Sequence, residues 1–363
     1  MSNSNPIKRL FDLYTSDLSY DEIEKLIKKE SSEVYEFFAK DISKPDTSRN
    51  KFIRILIFAR NLFNAFLLKL TPARRIVYLI SIFFMIVGAF NDFGSYIVLG
   101  ILLLNALLAF ELVDKLIFKD EISLAKKIQS KLIPQAPPKN TFFDIDAYYE
   151  SAREVSGDYF DFIEPRGESE NTFIIIGDIS GKGMAAALYM IRVQAIIHSM
   201  FDYFKNFRDL LINLNKNFTN KLSSGFFLTL SSAKIDKEGN LSICNAGHTP
   251  TIHYKINEHK FELVNPKGIG IGLSNNGKFE ESLEEILIKP GKGDLFIFYT
   301  DGLTETMDRY KNQYGDERLK KLVVSNYDKS PKELINVIRQ SVADFRGQAI
   351  SHDDLTLVVL KAK

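Results

Sequence analysis

Residues 173–183 read Phe173-Ile174-Ile175-Ile176-Gly177-Asp178-Ile179-Ser180-Gly181-Lys182-Gly183, and this stretch decides the fold. Four consecutive aromatic or β-branched residues suit a buried strand. The glycines that follow allow a tight turn whose backbone can approach a ligand. Asp178 therefore stands at a strand mouth, where a carboxylate is costly unless a cation, a donor or water meets it. Alone, Asp178 reads equally well as a turn-forming residue. The repetition of the arrangement elsewhere favours a site.

Working outward, Leu295–Tyr299 runs into Thr300-Asp301-Gly302, and Asp353-Asp354 precede the apolar run 355–360. Upstream, Ser156-Gly157-Asp158-Tyr159-Phe160-Asp161 puts an acid into a glycine turn before an aromatic run. Carboxylates gathered at neighbouring strand ends repel one another. Oxygen-only ligands with no His or Cys between them suit hard cations such as Mg²⁺ or Mn²⁺. The constellation points to a binuclear metal site.

The 363 residues allow one large or two modest domains, and a net charge of +1 gives no global pull toward nucleic acid. The single Cys244 excludes an intramolecular disulfide and a zinc site built on several cysteines, which suits a reducing compartment. The first twenty residues are polar and mixed, unlike a signal peptide.

Ser19-Tyr20-Asp21-Glu22 has the form of a capping box, and the apolar spacing that follows predicts a helix over 19–40. Residues 43–50 read as a loop. The apolar stretch 52–70 carries Arg54, Arg60 and Lys69 and reads as a helix on a membrane surface or a buried helix. From 76 to 110 the only charge is Asp92, and the run splits at the turn signal Asn91-Asp92-Phe93-Gly94. Two segments, about 76–91 and 94–112, then form a helical membrane hairpin. Lys69, Arg74 and Arg75 before it, and Lys115 and Lys119 after it, place both ends in the cytoplasm. The alternative is a very apolar hairpin in a soluble helical domain.

Residues 120–132 read as a charged helix with Ile122, Ala125, Ile128 and Leu132 on one side, stopped by Pro134, Pro137 and Pro138. After Pro138 the texture changes to short strands with helical stretches at 184–200, 207–222 and 332–345. The predicted class is α+β, an α-β-β-α sandwich of two antiparallel sheets flanked by helices, preceded by the membrane hairpin. The expected division is a helical cytoplasmic segment at 1–50, a membrane region at 51–114, a signalling linker helix at 115–138 and a catalytic domain at 139–363.

Five ordered segments resemble the metal-dependent PPM (protein phosphatase 2C-like) family of serine/threonine phosphatases, in particular its bacterial SpoIIE/RsbU-like branch, which acts on regulators of sigma factors. They are 152–161, 177–183, Asn245-Ala246-Gly247-His248-Thr249-Pro250, Tyr299-Thr300-Asp301-Gly302-Leu303-Thr304-Glu305 and Asp353-Asp354-Leu355-Thr356. Residues 125–134 resemble the helix that enters this domain in many members. The resemblance implies that Asp178 bridges two Mn²⁺ or Mg²⁺ ions, with Asp158, Asp301, Asp353 and the carbonyl of Ile179 as further ligands. Two such cations would lower the pKa of a water between them for in-line attack on phosphorus. Arg153 falls where relatives carry a phosphate-contacting arginine. Ser180 stands where the eukaryotic branch has a histidine acid, and Ser156 where many relatives have glycine.

His248 reads as a hairpin hydrogen-bonding residue, Lys182 as a screen for the acids, Cys244 as core, and Gly268, Gly270 and Gly272 as wrongly spaced for a dinucleotide loop. The expected function is a phosphoserine/phosphothreonine protein phosphatase in the inner (cytoplasmic) membrane, multi-pass, with its catalytic domain in the cytoplasm. Its expected substrate is a phosphorylated regulatory protein, an anti-sigma-factor antagonist. The expected partners also include the membrane and a second copy through the linker helix, but no nucleic acid. The rival readings are a membrane-linked nucleotidyl cyclase, separable by its product from ATP or GTP, and a catalytically inactive scaffold, disfavoured because all four acids are present.

Overall fold

In the computed structural model the described residues are 51–91, 93–164, 171–203, 207–219, 225–274 and 277–363. The helix expected over 19–40 lies outside them. The chain divides into two compact units, 1–117 and 118–363.

In the first unit, helix α1 covers Lys51–Lys69, α2 Pro72–Phe90, and α3 starts at Gly94 and continues without a break to Leu132. Pro72 at the first position starts α2, where its missing N–H costs nothing. The C-terminal end of α1 is closed by Arg75, which donates from Nε to Leu67 O at 2.9 Å and from Nη2 to Leu70 O at 3.2 Å. Helices α2 and α3 approach closely at small residues. A Cβ on Gly100 would lie 2.7 Å from Ser81 O, and one on Gly88 2.9 Å from Ile97 N. Such contacts are the usual means by which apolar helices pack without a hydrophobic driving force between them. Arg74 ties the two helices with 2.9 Å and 2.6 Å ion pairs to Glu111 and Asp114. Both helices are long and apolar enough to cross a membrane. At about 1.5 Å per residue, the 19 residues of α2 reach about 28 Å. Ile76, Phe83, Phe90, Leu102 and Leu108 all point outward.

The described residues of the second unit form ten strands. In order they are β1 (Phe143–Glu150), β2 (Asp158–Ile163), β3 (Thr172–Ile179), β4 (Leu228–Ile235), β5 (Leu241–Ala246), β6 (Thr251–Lys255), β7 (Lys260–Val264), β8 (Glu285–Ile288), β9 (Leu295–Tyr299) and β10 (Leu355–Ala362). Between them run α4 (Met184–Met200), α5 (Phe207–Thr219), α6 (Lys278–Ser282), α7 (Asp301–Thr304), α8 (Asp316–Ser325) and α9 (Pro331–Arg346). One sheet has the order β1-β10-β9-β6-β7 and the other β2-β3-β4-β5-β8, antiparallel throughout.

Period two explains the layers. Along β9 and β10, Phe296, Phe298, Val358 and Leu360 enter one core, while Leu295, Ile297, Leu357 and Val359 enter a second core with Leu319, Val323, Leu334 and Ile338 of α8 and α9. Strand β3 is likewise buried on both faces, and Phe173 packs on Phe201 and Phe207 on its helix side. That double burial is why its sequence runs apolar without alternation. Helix α9 begins as its sequence dictates, with Pro331 at the first position and a reciprocal Ser330–Glu333 capping box.

Candidate active site

The antiparallel register of β2 and β3 sets Asp158 opposite Asp178. Both side chains share the strand face of Phe160, Ile174 and Ile176, and Phe160 meets Tyr149 of the opposite sheet. Both acids therefore open into the gap between the sheets. From the opposite sheet, Asp301 stands two residues after β9 and Asp353 two residues before β10. A Cβ on Gly302 would fall 1.8 Å from Asp354 O and 3.3 Å from the Asp353 Cβ, so only glycine lets the two acidic turns meet.

Asp158 is buried and accepts from Thr300 Oγ1 at 2.9 Å and from the Thr356 hydroxyl, both on the opposite sheet. Asp354 accepts from the backbone N–H of Ala152 at 2.8 Å and of Gly157 at 2.9 Å, pinning the turn that carries Asp158. Ser156 has negative φ, and its hydroxyl accepts from Asp158 N at 3.0 Å, so the serine fits this turn. Its backbone is held from outside by Gln129 of α3, whose amide donates to Ser156 O at 2.7 Å and accepts from Ser156 N at 3.0 Å.

Burial, with Asp178 beside it, pushes the Asp158 carboxyl well above the usual range. Burial and then repulsion from Asp301, Asp353 and Asp354 push Asp178 up to about 8. Asp301 rises through burial, Glu305 and Asp353. Such mutual destabilisation marks a functional site more often than a structural one.

Lys182 counters part of this charge, with Nζ 2.6 Å from Asp353 Oδ2 and 2.8 Å from His352 O. Among the described residues no three carboxylate, imidazole or thiolate groups stand together as a ready-made metal cage. The donor chemistry nevertheless fits hard cations, being oxygen-only, acidic and only partly offset by Lys182. A Cβ on Gly157 would come within 3.3 Å of both Asp178 Oδ1 and Ile179 O. Carboxylate and carbonyl thus face one small space that a side chain would fill.

Arg153 is exposed, with Nη1 3.8 Å from where a Cβ on Gly183 would stand, and it makes no ion pair among the described residues. Ser180 is spent on structure, its hydroxyl accepting from Phe227 N at 2.8 Å. Asp161 lies on the helix-facing side of β2, where it meets Tyr159 OH at 2.9 Å and His198 Nε2 at 2.6 Å, away from the site.

The sequence assigns no role to Thr300, Thr356, Asp354, Gln129 or Thr229, which the structure places around the acids. The signal for the first three was adjacency to an acid at a strand end. Gln129 was a polar residue set between the apolar Ile122 and Ala125 on one helix side. Ile128, assigned to that side, is instead exposed, while Ile122, Ala125 and Leu132 are half-buried and Gln129 is buried. At about 100° per residue Gln129 falls between Ile122 and Ala125 at the centre of this side, while Ile128 lies at its edge, about 40° beyond Leu132.

The family model for Stage II sporulation protein E (SpoIIE) matches residues 168–363, more than half of the chain. The chain is 29% identical over 250 residues to phosphoserine phosphatase RsbU of Bacillus subtilis, covering 68% of this chain and 71% of RsbU. It is 27% identical over 272 residues to protein IcfG of Synechocystis, covering 66% of this chain but 41% of IcfG. Among solved structures, the SiaA-PP2C domain of Pseudomonas aeruginosa superposes with a TM-score of 0.59 at 16% identity, covering 68% of this chain and 98% of that domain. At that identity the likeness establishes the fold, two antiparallel sheets flanked by helices.

Proposed function

Because the chain belongs to the SpoIIE family and is by that kinship a serine/threonine phosphatase, we propose that it is a membrane-tethered, divalent-metal-dependent enzyme that removes phosphate from phosphoserine or phosphothreonine of a regulatory protein. The observation that carries this reading is the convergence of Asp158 and Asp178 from one sheet with Asp301 and Asp353 from the other, at a burial that leaves Asp178 short of counter-charge.

Asp178, Asp301, Asp353 and the Ile179 carbonyl would hold two Mn²⁺ or Mg²⁺ ions, with Asp158 completing the acidic wall. When bound, such ions supply positive charge to a phosphoryl group and lower the pKa of water. Lys182, whose Nζ lies 2.6 Å from Asp353 Oδ2, can also turn toward solvent or a substrate phosphate. Arg153, exposed beside Gly183, presents a guanidinium fork suited to a phosphate dianion. The hydroxyls of Thr300 and Thr356 fix the rotamer of Asp158, and Asp354 fixes its turn.

The substrate is read as a phosphorylated anti-sigma-factor antagonist, by kinship to RsbU. Tethering is read from α2 and α3, with both ends and the phosphatase domain on the cytoplasmic side. A second copy is read as pairing through the 115–138 helix.

The test is release of phosphate from a phosphoserine peptide by the full chain in detergent, with Mn²⁺, with Mg²⁺ and with chelator. Asp178→Asn keeps the shape and removes the charge shared between cations, and is expected to lower turnover by several orders of magnitude. Full activity in chelator, or an unaffected Asp178→Asn, would overturn the proposal. Absence of any phosphatase activity would favour the inactive scaffold.

A further inference from the structure

Two segments that the chemistry above leaves unused meet directly behind Asp178. The first is the β5–β6 crossover, Asn245-Ala246-Gly247-His248-Thr249, which passes from one sheet to the other. The second is the glycine loop Lys267-Gly268-Ile269-Gly270-Ile271. They are packed at backbone contact. A Cβ on Gly268 would lie 1.8 Å from Asn245 O, and one on Gly247, whose φ is +73°, 2.8 Å from Gly270 N. The second segment also closes on β4, with Ile271 N donating to Leu228 O at 2.8 Å and Leu228 N to Ile271 O at 2.9 Å. Leu228 is the register partner of Ile179, and Thr229 of Asp178.

Within the crossover the side chains reach both sheets. His248 Nδ1 is 2.9 Å from Thr229 Oγ1, and the same hydroxyl lies 3.4 Å from the carbonyl of Asp178. The neighbouring Thr249 hydroxyl donates to the carbonyl of Tyr299, two residues before Asp301. The backbone of His248 is fixed on both sides by Asn245, with His248 N donating to Asn245 Oδ1 at 2.7 Å and Asn245 Nδ2 to His248 O at 3.0 Å. Asn245 in turn is tied to Asn265 Oδ1 at 3.0 Å. The imidazole is buried within reach of the Tyr299 backbone, although its Nε2 meets no partner at full hydrogen-bond geometry among the described residues. Burial pushes His248 down to about 4, so the ring is neutral at physiological pH. A neutral ring can use either nitrogen as donor. If the one hydrogen of Thr229 points to the Asp178 carbonyl, Nδ1 of His248 carries the proton that meets Thr229.

We propose that His248, acting through Thr229, is a positioning residue that holds the Asp178 strand end at a set distance from the Asp301 strand end, and so sets how tightly the acidic pair takes divalent cations. The proposal rests on Asp178 and Asp301 being cation ligands. Coupling of this kind, one contact behind a ligand, typically alters metal affinity by about 10- to 100-fold. The leverage is geometric: the crossover touches the strand of one ligand with His248 and the strand of the other with Thr249, and the glycine loop keeps it from yielding.

The experiment is calorimetric titration of Mn²⁺ into the detergent-solubilised full chain, with thermal unfolding in chelator measured beside it. His248→Phe keeps a flat ring and removes both nitrogens, Thr229→Val keeps the β-branch and removes the hydroxyl, and His248→Asn places an amide atom where Nδ1 stands. The expected result is Mn²⁺ binding about tenfold weaker for His248→Phe and for Thr229→Val, no weaker for the double variant than for either single one, and near wild type for His248→Asn. If His248→Phe fails to fold, Thr229→Val and Thr229→Ser decide, with serine restoring the affinity that valine loses. Unchanged Mn²⁺ affinity in the variants, or losses that multiply in the double variant, overturns the positioning role. A wild-type chain that takes up no Mn²⁺ overturns the metal reading itself and this inference with it, whereas wild-type binding with indifferent variants overturns this inference alone.

Discussion

The carboxylate of Asp354 accepts the N–H of Gly157 at 2.9 Å, joining residues 197 positions apart. Its other oxygen takes the N–H of Ala152 at 2.8 Å. Two backbone donors of the turn that carries Asp158 therefore depend on one side chain of the opposite sheet. Removing an acceptor from buried donors costs about 1–3 kcal/mol per group left unpaired. Asp354→Ala is expected to destabilise the phosphatase unit by about 2–4 kcal/mol in urea unfolding and to weaken divalent-ion binding. Asp354→Asn, which keeps one acceptor, should lose less in both. Equal stability of wild type and Asp354→Ala would show that the turn is held by other means.

Removing divalent ions should make stability depend on pH in a defined direction. Asp178 sits at about 8 in the folded chain, above the usual carboxylate value, because of burial and the neighbouring acids. Between about pH 4 and pH 8 the folded state then holds a proton that the unfolded state has lost. Its stability must fall as pH rises through that window. In chelator, the melting temperature is expected to decline from pH 5 to pH 8, and the gain on adding Mn²⁺ should be largest at pH 8. A melting temperature that rises over the same range in chelator would contradict the charge assignment.

Much of the fold was legible because its determinants are local. The runs at 173–176, 295–299 and 355–360 are buried on both faces, and each leads out of or into a glycine or acidic turn, so strand and strand end could be read together. The bonds of Thr300, Thr356 and Asp354 were not legible because their partners lie 142 to 198 residues away in sequence. No periodicity records such a contact. On 120–132 the buried position belongs to the polar Gln129, whose partner Ser156 no hydrophobic pattern records, while Ile128 at the edge of the apolar side is exposed. The close approach of Gly268 to Asn245 and of Gly270 to Gly247 has no local signature either.

Helices α2 and α3 direct large apolar side chains outward along most of their length, and an exposed apolar surface of that extent needs lipid or protein over it. The full chain is expected to stay in the pellet after high-salt and carbonate washing of membranes. A chain beginning at Phe118, the start of the second unit, should be soluble. Release of the full chain by carbonate would place the hairpin in a soluble core.

The reciprocal bonds between Gln129 and Ser156 make the end of α3 part of the wall behind Asp158. Ser156 passes the constraint on, since its hydroxyl accepts from Asp158 N. The same helix end is anchored by Gln194 of α4, whose amide donates to Leu132 O at 2.6 Å. Ile128, by contrast, faces outward and is free to pack on something else. The two faces of 120–132 can therefore be tested separately, one for its hold on the site and the other for a contact outside it. Gln129→Ala leaves the N–H and C=O of Ser156 without their partners and is expected to lower turnover and Mn²⁺ affinity about tenfold at unchanged secondary structure. Ile128→Asp leaves the Gln129 contact in place. If α3 only docks on its own domain, Ile128→Asp should behave as wild type in a manganese titration. If the outer face pairs with a second copy that biases the Gln129 contact, Ile128→Asp should change turnover, and do so only where the Gln129 contact is intact. An indifferent Gln129→Ala would make the helix a connector and nothing more.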